Sequence, residues 1–192
     1  IEVTSDELRK ASFLKTPQDV LALFELPTST ADPSIATREL CLALDDVQDP
    51  GNLGTIIRLA DWFGIRHIFC SIGTTDAYSP KTVQASMGAV ARVQLHYMNL
   101  YDFLHEITIQ NPSIPLYGTF LEGNNIYKEP LTSHGIIIMG NEGNGISQKV
   151  REVITHPLFI PSYPADQPTS ESLNVSIATA IILSEFRRNN TP

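Results

Sequence analysis

"LCLALDDVQDPGNLGTIIRLADWFGIRHIFCS", Leu40 to Ser71, decides the fold. It opens on the apolar run "LCLALD" and closes on "RHIFCS", each of strand length and set off by turn residues. Between them, Asn52 to Phe63 carries apolar residues at helical spacing. Ile56, Leu59, Ala60 and Phe63 share one face; Thr55, Arg58, Asp61 and Trp62 share the other. Strand, helix, strand is the unit of a parallel sheet, because two parallel neighbours need a crossover between them.

The same alternation continues along the chain. Strand-like runs recur at "ARVQLHY", "IPLYGTF", "HGIIIMG" and "HPLFIPS". Helix-like segments run from Ser79 to Ser86, where "SPKT" places an N-cap before a first-turn proline, from Leu100 to Ile109, and from Ser147 to Ile154. The expected fold is α/β, a mostly parallel sheet with helices on both faces. "SLNVSIATAIILSEFRR" then closes the domain. From Val175 to Leu183 it is apolar or small on every side, which predicts a buried helix at a subunit interface, with Arg187 and Arg188 where a helix C-terminus favours cations.

Upstream, "TSDE" at Thr4 to Glu7 fits a capping box and a short helix to about Ala11. "DVLALFEL" reads as a strand, and Pro27 to Glu39 as a linker. Residues 1–36 are thus expected to be a tail and first strand, and residues 37–192 the main domain. The chain begins with Ile, so a segment is expected to be missing ahead of it.

Composition bounds the function. A hydrophobic fraction of 42% and a charged fraction of 18% suit a globular domain with a proper core. No apolar run reaches membrane-spanning length and no signal peptide opens the chain, so a cytoplasmic location is expected. The formal net charge of −8 argues against nucleic-acid binding by charge alone, while leaving room for a local basic patch. Cys41 and Cys70 lie in apolar strands and read as buried thiols. The five His lack metal-ligand spacing, and no metal is expected.

Three clusters fall beyond strand ends, where open parallel sheets bind ligands. In the first, Asn52 and Gly54 stand at a helix mouth whose amides would suit an anion, with Arg58 one turn in; a capped helix with a solvated Arg reads equally from the residues. In the second, "IIIMGNEGNGIS", glycines at Gly140, Gly143 and Gly145 would bring a ligand against bare backbone or would simply make a turn. Their order is the reverse of the dinucleotide fingerprint, and no Gly-Lys-Ser/Thr follows, so a dehydrogenase and a P-loop enzyme are both excluded. In the third, "FIPSYPADQPTSESLNVS", a Pro-rich loop leads to Ser172, a candidate N-cap, and to Asn174, polar beside an apolar helix.

In this order the clusters resemble the three motifs of the SpoU/TrmH branch of the SPOUT methyltransferases. Asn52, Gly54, Arg58 and Ala60 match the first motif; Gly140, Asn141, Glu142 and Gly143 the second; Ile160, Pro161 and the run Ser172 to Ser176 the third. "SMGA" at Ser86 to Ala89 also resembles a family element, and the likeness covers about Leu40 to Arg188. The stretch from Ile160 to Ser172 looks longer than the family usual.

The resemblance implies S-adenosyl-L-methionine as cofactor and a ribose 2′-hydroxyl of tRNA or rRNA as methyl acceptor. It implies a deep C-terminal trefoil knot, which no general rule of chain topology would predict, a homodimer through the knot and the last helix, and, with the Ile start, an N-terminal RNA-binding domain missing from this sequence. Carried over by position, the cofactor would meet Thr119, Phe120, Met139, Gly140, Asn141, Gly143, Ile160, Pro161, Leu173 and Asn174. Arg58 would be catalytic, with Asn52, Glu142, Ser172 and Asn174 completing the cradle. A guanidinium stays protonated in proteins, so a phosphate grip and polarisation of the hydroxyl suit Arg58 better than proton abstraction. The rival is a non-catalytic RNA-binding protein on the same fold. It would be expected to lose Arg58 or Asn174, and both are present.

Overall fold

The computed structural model describes residues 1–12, 14, 16, 18–27, 30–164, 170 and 172–188. From Leu40 on, strands and helices alternate as the sequence predicts. They are β1 (Leu40–Leu44), α2 (Pro50–Trp62), β2 (His67–Ser71), α3 (Pro80–Ser86), β3 (Gln94–Met98), α4 (Leu100–Gln110), β4 (Leu116–Asn125), β5 (Gly135–Met139), α5 (Gln148–Arg151), β6 (His156–Phe159) and α6 (Val175–Arg188). A short α1 (Ser5–Ala11) precedes them.

The six strands lie in the order β3-β2-β1-β5-β4-β6, and every pairing is parallel. The chain builds outward from β1 to β3, then returns to the other side of β1. The order therefore reverses between β1 and β5. Loops leaving the two carboxyl ends diverge there, which opens the crevice where α/β sheets bind ligands.

Strand alternation sends side chains to two apolar layers. Leu42, Leu44, Ile68, Cys70, Ile137 and Met139 pack with Leu53, Ile56, Ile57 and Ala60 of α2 and with Ile182, Leu183 and Phe186 of α6. Cys41, Ala43, Phe69, Ile136 and Ile138 pack on the opposite side with Leu100, Phe103, Leu104 and Ile107 of α4 and Val150 of α5. The two thiols are buried on opposite faces of the sheet. Burial pushes Cys41 up to about 12 and raises Cys70 as well. Tyr117 meets Phe186 edge to face, with centroids 4.9 Å apart, and ties α6 to β4.

Several local readings need correction. "DVLALFEL" forms no strand among its described residues; Leu23 is 95% and Phe24 86% exposed. Strand propensity had no partner to pair with, and an unpaired strand is not stable alone. The α1 capping box is present, with Glu7 N–H donating to Thr4 Oγ1 at 3.3 Å and Thr4 N–H to Glu7 Oε2 at 2.8 Å, yet the helix buries no residue.

The segment from Ser147 keeps α-helical form only over α5. The amides of Val153 and Ile154 then close on carbonyls three residues back, and Thr155 Oγ1 accepts from Leu116 N–H as the chain enters β6. β4 runs past the predicted end, with a register break between Thr119 and Asn124.

Helix α6 is not buried all round. Val175, Thr179, Ile182, Leu183 and Phe186 face inward, while Ile177 is 53% exposed. Arg187 donates to Phe63 O at 2.8 Å and Gly64 O at 3.3 Å, closing the end of α2 rather than of its own helix. Arg188 pairs with the buried Glu185 at 2.6 Å. The chain threading implied by the resemblance involves the link from β6 to α6, where residues 165–169 and 171 lie outside the described residues.

Candidate functional site

The mouth of α2 is already closed. Pro50 opens the helix and Asp49 caps it, its carboxylate accepting from Asn52 N–H at 2.7 Å. The Glu142 carboxylate accepts from the amides of Gln48 and Asp49, each at 3.4 Å. Two carboxylates thus stand at the positive end of the helix, where the residues alone suggested room for an anion. Gly54 has a different task from the one expected. It is buried, and a Cβ on it would come within 2.5 Å of Ala85 Cβ and 2.6 Å of Thr82 O. It lets α2 lie against α3.

One chain of hydrogen bonds joins the three motifs. Asn52 Nδ2 donates to Glu142 Oε1 at 3.0 Å, and Asn174 Nδ2 donates to Asn52 Oδ1 at 3.0 Å. Asn174 Oδ1 in turn accepts from Ser176 N–H at 3.0 Å, Ser176 Oγ at 2.7 Å and Ile177 N–H at 3.3 Å. Asn174, not Ser172, therefore caps α6, and Ser172 stands exposed just before it. This answers why so polar a residue sits against an apolar helix: one amide serves the cap and the first motif together.

The glycine loop after β5 is rigid by its own bonds. Asn141 and Gly145 exchange both backbone hydrogen bonds at 2.9 Å. A Cβ on Gly140 would fall 2.3 Å from Gly145 C and Ile146 N, so what approaches this glycine is the loop itself. Asn141 Oδ1 accepts from Gly143 N–H at 2.9 Å and Asn144 N–H at 3.0 Å, and its Nδ2 donates to Asp46 O at 2.7 Å. At the far end, Ser147 N–H donates to the buried Asp45 carboxylate at 2.7 Å.

Strand register gathers the remaining candidates. Gly118 pairs with Ile138 and Thr119 with Leu158, so Gly118 and Thr119 join the ends of β5 and β6; past the register break Phe159 pairs with Asn125, and Ile160 follows it. Thr119 Oγ1 donates to Ile138 O at 3.2 Å. Phe120 is half-buried beneath Arg151, whose Cζ lies 4.4 Å from the ring centroid. Met139 points into the core, and its carbonyl accepts from Asp45 N–H at 2.9 Å. Ile160 and Pro161 are half-buried, and Leu173 is 48% exposed.

Arg58 stands outside this network. Helical geometry turns it about 120° from Asn52. It is exposed and forms no ion pair among the described residues. Nearby Arg92 is different, being held bidentate by Asp61 with a closest contact of 2.6 Å. Asp45, Asp46 and Asp49 were missed as architectural residues. Asp49 before Pro50 carried an N-cap signal that placing the helix start at Asn52 concealed; the other two carried none.

Comparison with known proteins bears on this arrangement. The family model described as the SpoU rRNA Methylase family matches residues 39–184. The chain is 32% identical over 186 residues to the 23S rRNA (guanosine(2553)-2′-O)-methyltransferase RlmP of Bacillus subtilis, spanning 96% of this chain and 71% of that protein. A solved structure of a TrmH-family protein from Porphyromonas gingivalis superposes with a TM-score of 0.84 at 47% identity, over 95% of this chain and 71% of that one. The AdoMet-bound rRNA methyltransferase of Sinorhizobium meliloti superposes with a TM-score of 0.71 at 34% identity, over 81% of this chain and 58% of that one.

Proposed function

The chain belongs to the SpoU rRNA methylase family, and from that premise we propose that it transfers the methyl group of S-adenosyl-L-methionine to a ribose 2′-hydroxyl of RNA. Ribosomal RNA is the favoured acceptor, because the Bacillus relative is named for 23S rRNA, with tRNA as the alternative. The observation that carries the reading is the bond chain Glu142–Asn52–Asn174, which draws all three motifs to the crevice between β1 and β5.

The donor set suits the cofactor. Backbone groups at the ends of β4, β5 and β6, with Ile160, Pro161 and the half-exposed Leu173, would offer an apolar surface for a flat heterocycle to cover. When bound, the cofactor supplies an electrophilic methyl group on a sulfonium. Thr119, Phe120, Gly140, Gly143, Ile160, Pro161 and Leu173 would hold it. Met139 and Asn141 support the wall from behind, one through the core and the other through the loop.

Arg58, exposed and without a carboxylate partner among the described residues, would grip a substrate phosphate and donate to the 2′-oxygen. It would not take the proton, since a guanidinium carries hydrogen-bond donors and no acceptor. Asn52, Glu142 and Asn174 hold the platform on which these groups stand, and Ser172 lines its edge. Incubation with ribosomal RNA and methyl-labelled cofactor, followed by mapping of alkali-resistant linkages, tests the reading. The expected result is one 2′-O-methylated nucleotide. Label found on a base would refute it.

Among the described residues no helix is long and apolar enough to cross a membrane, and we place the activity in the cytoplasm. We further propose that the C-terminal part of the domain is knotted, and that the stretch ahead of Ala31 is a linker, as the exposed Val20, Leu23 and Phe24 favour, whereas Ala31, Ile35 and the buried Ala36 pack on the α4 side of the sheet. The exposed Ile177 on α6 and Trp62 on the adjoining α2 would meet a second copy. Light scattering should then give a dimer mass for this chain at micromolar concentration, and Ile177→Lys should lower it to the monomer. A monomeric parent chain would overturn the dimer.

A further inference from the structure

Among the described non-glycine residues, Asp46 (φ 59°) and Met87 (φ 52°) adopt a left-handed backbone. Met87 ends α3, an ordinary place for it. Asp46 instead follows β1, inside the crevice where the strand order reverses. Most L-residues avoid this conformation, and Asp adopts it where its short side chain is bonded locally.

Ser71, at the end of β2, supplies the hold. Its hydroxyl accepts from Asp46 N–H at 2.9 Å and donates to Asp46 Oδ1. Ser71 is buried, with Thr74 Oγ1 3.2 Å from its oxygen. The Asp46 carboxylate lies directly over Gly73, where a Cβ would fall 2.4 Å from Oδ1. So turned, Asp46 directs its carbonyl to Asn141 Nδ2, at 2.7 Å. Asn141 then organises Gly143 and Asn144 through its other amide atom, and Glu142 is presented to Gln48, Asp49 and Asn52.

We propose that Asp46, latched by Ser71, is a positioning residue that sets the Gly140–Gly145 loop in its ligand-ready form before any ligand binds. The role in ligand binding rests on the methyltransferase reading; the latch itself does not. It brings the β2 end, Ser71 to Gly73, into a site otherwise built from the β1, β4, β5, β6 and α6 segments.

The test uses four variants and two readouts. The first readout is hydrogen exchange of the Gly143 and Asn144 amides, with the global unfolding midpoint as control. The second is calorimetric affinity for S-adenosylhomocysteine. Asp46→Val disfavours the left-handed turn, and Ser71→Ala removes the latch. Both should speed loop exchange and weaken binding by at least about tenfold. Asp46→Gly and Asp46→Asn tolerate positive φ and should stay within about threefold of the parent chain.

Unchanged exchange in Asp46→Val would overturn the proposal. So would losses in Asp46→Gly and Asp46→Asn as large as in Asp46→Val. Should Asp46→Val not fold, Ser71→Ala decides by the same threshold. Failure of the parent chain to bind S-adenosylhomocysteine would sink the methyltransferase reading and the loop's ligand role, while exchange would still decide whether the latch exists.

Discussion

Asn52 and Arg58 stand six positions apart on α2 and differ in every other respect. Asn52 uses its side-chain oxygen on Asn174 and its nitrogen on Glu142, while its backbone N–H goes to Asp49. Arg58 is exposed, with no ion pair among the described residues. Both belong to the first motif, yet one is committed to architecture and the other is left for a ligand. Motif membership alone does not distinguish a residue that builds a site from one that acts in it; the bonding inventory of the folded chain does.

The sharpest way to break this contrast is Arg58→Ala. Removing one donor aimed at developing charge costs about 10²- to 10³-fold in rate. Because the Arg58 side chain forms no ion pair among the described residues, the thermal midpoint and the cofactor affinity should stay at parent values. Labelled-methyl transfer, calorimetry and thermal melting measure the three quantities. Cofactor affinity that fell with activity would place Arg58 with Asn52 among the builders. Arg58→Lys should recover little, since a point charge does not reproduce a planar fork.

Gly54 sharpens the same comparison from the architectural side. Alanine favours helix over glycine by about 1 kcal/mol. Here its methyl would enter the backbone of α3, 2.6 Å from Thr82 O. Overpacking of that kind costs about 1–3 kcal/mol, so the net change in Gly54→Ala should be a lower urea midpoint with an unaltered slope. A stabilised variant would mean that α2 and α3 do not press together at this point.

The glycines mark how far the sequence could be read. Periodicity located α2, α4 and the strands, because those elements bury one face and must repeat apolar residues to do so. The sequence presents Gly54 as part of a helix mouth and Gly140 as bare backbone for a ligand or a turn, and neither reading reaches what lies close to them. In both cases the close neighbour is the protein's own chain, Thr82 and Ala85 for one and Gly145 and Ile146 for the other, and such contacts arise only after folding. The N-terminal "DVLALFEL" failed for the converse reason. Its residues prefer strands, but a strand exists only where a neighbour accepts its hydrogen bonds. Asp46 carried no signal because its conformation is imposed from Ser71, on another strand.

The smallest expected effect tests the joint between motifs. Asn174→Ala removes the cap of α6 and should cost about 1 kcal/mol. Asn52→Ala loses two partly exposed side-chain bonds and should cost somewhat less, since the freed groups can turn to water. If their shared bond at 3.0 Å is real in solution, the double variant should lose less than the two singles together, by about 0.5–1 kcal/mol. Urea unfolding of the four proteins measures that coupling. Strict additivity would mean that the cap and the first motif are neighbours without being joined. The crevice would then be held from β5 alone, through the contact of Glu142 with the mouth of α2.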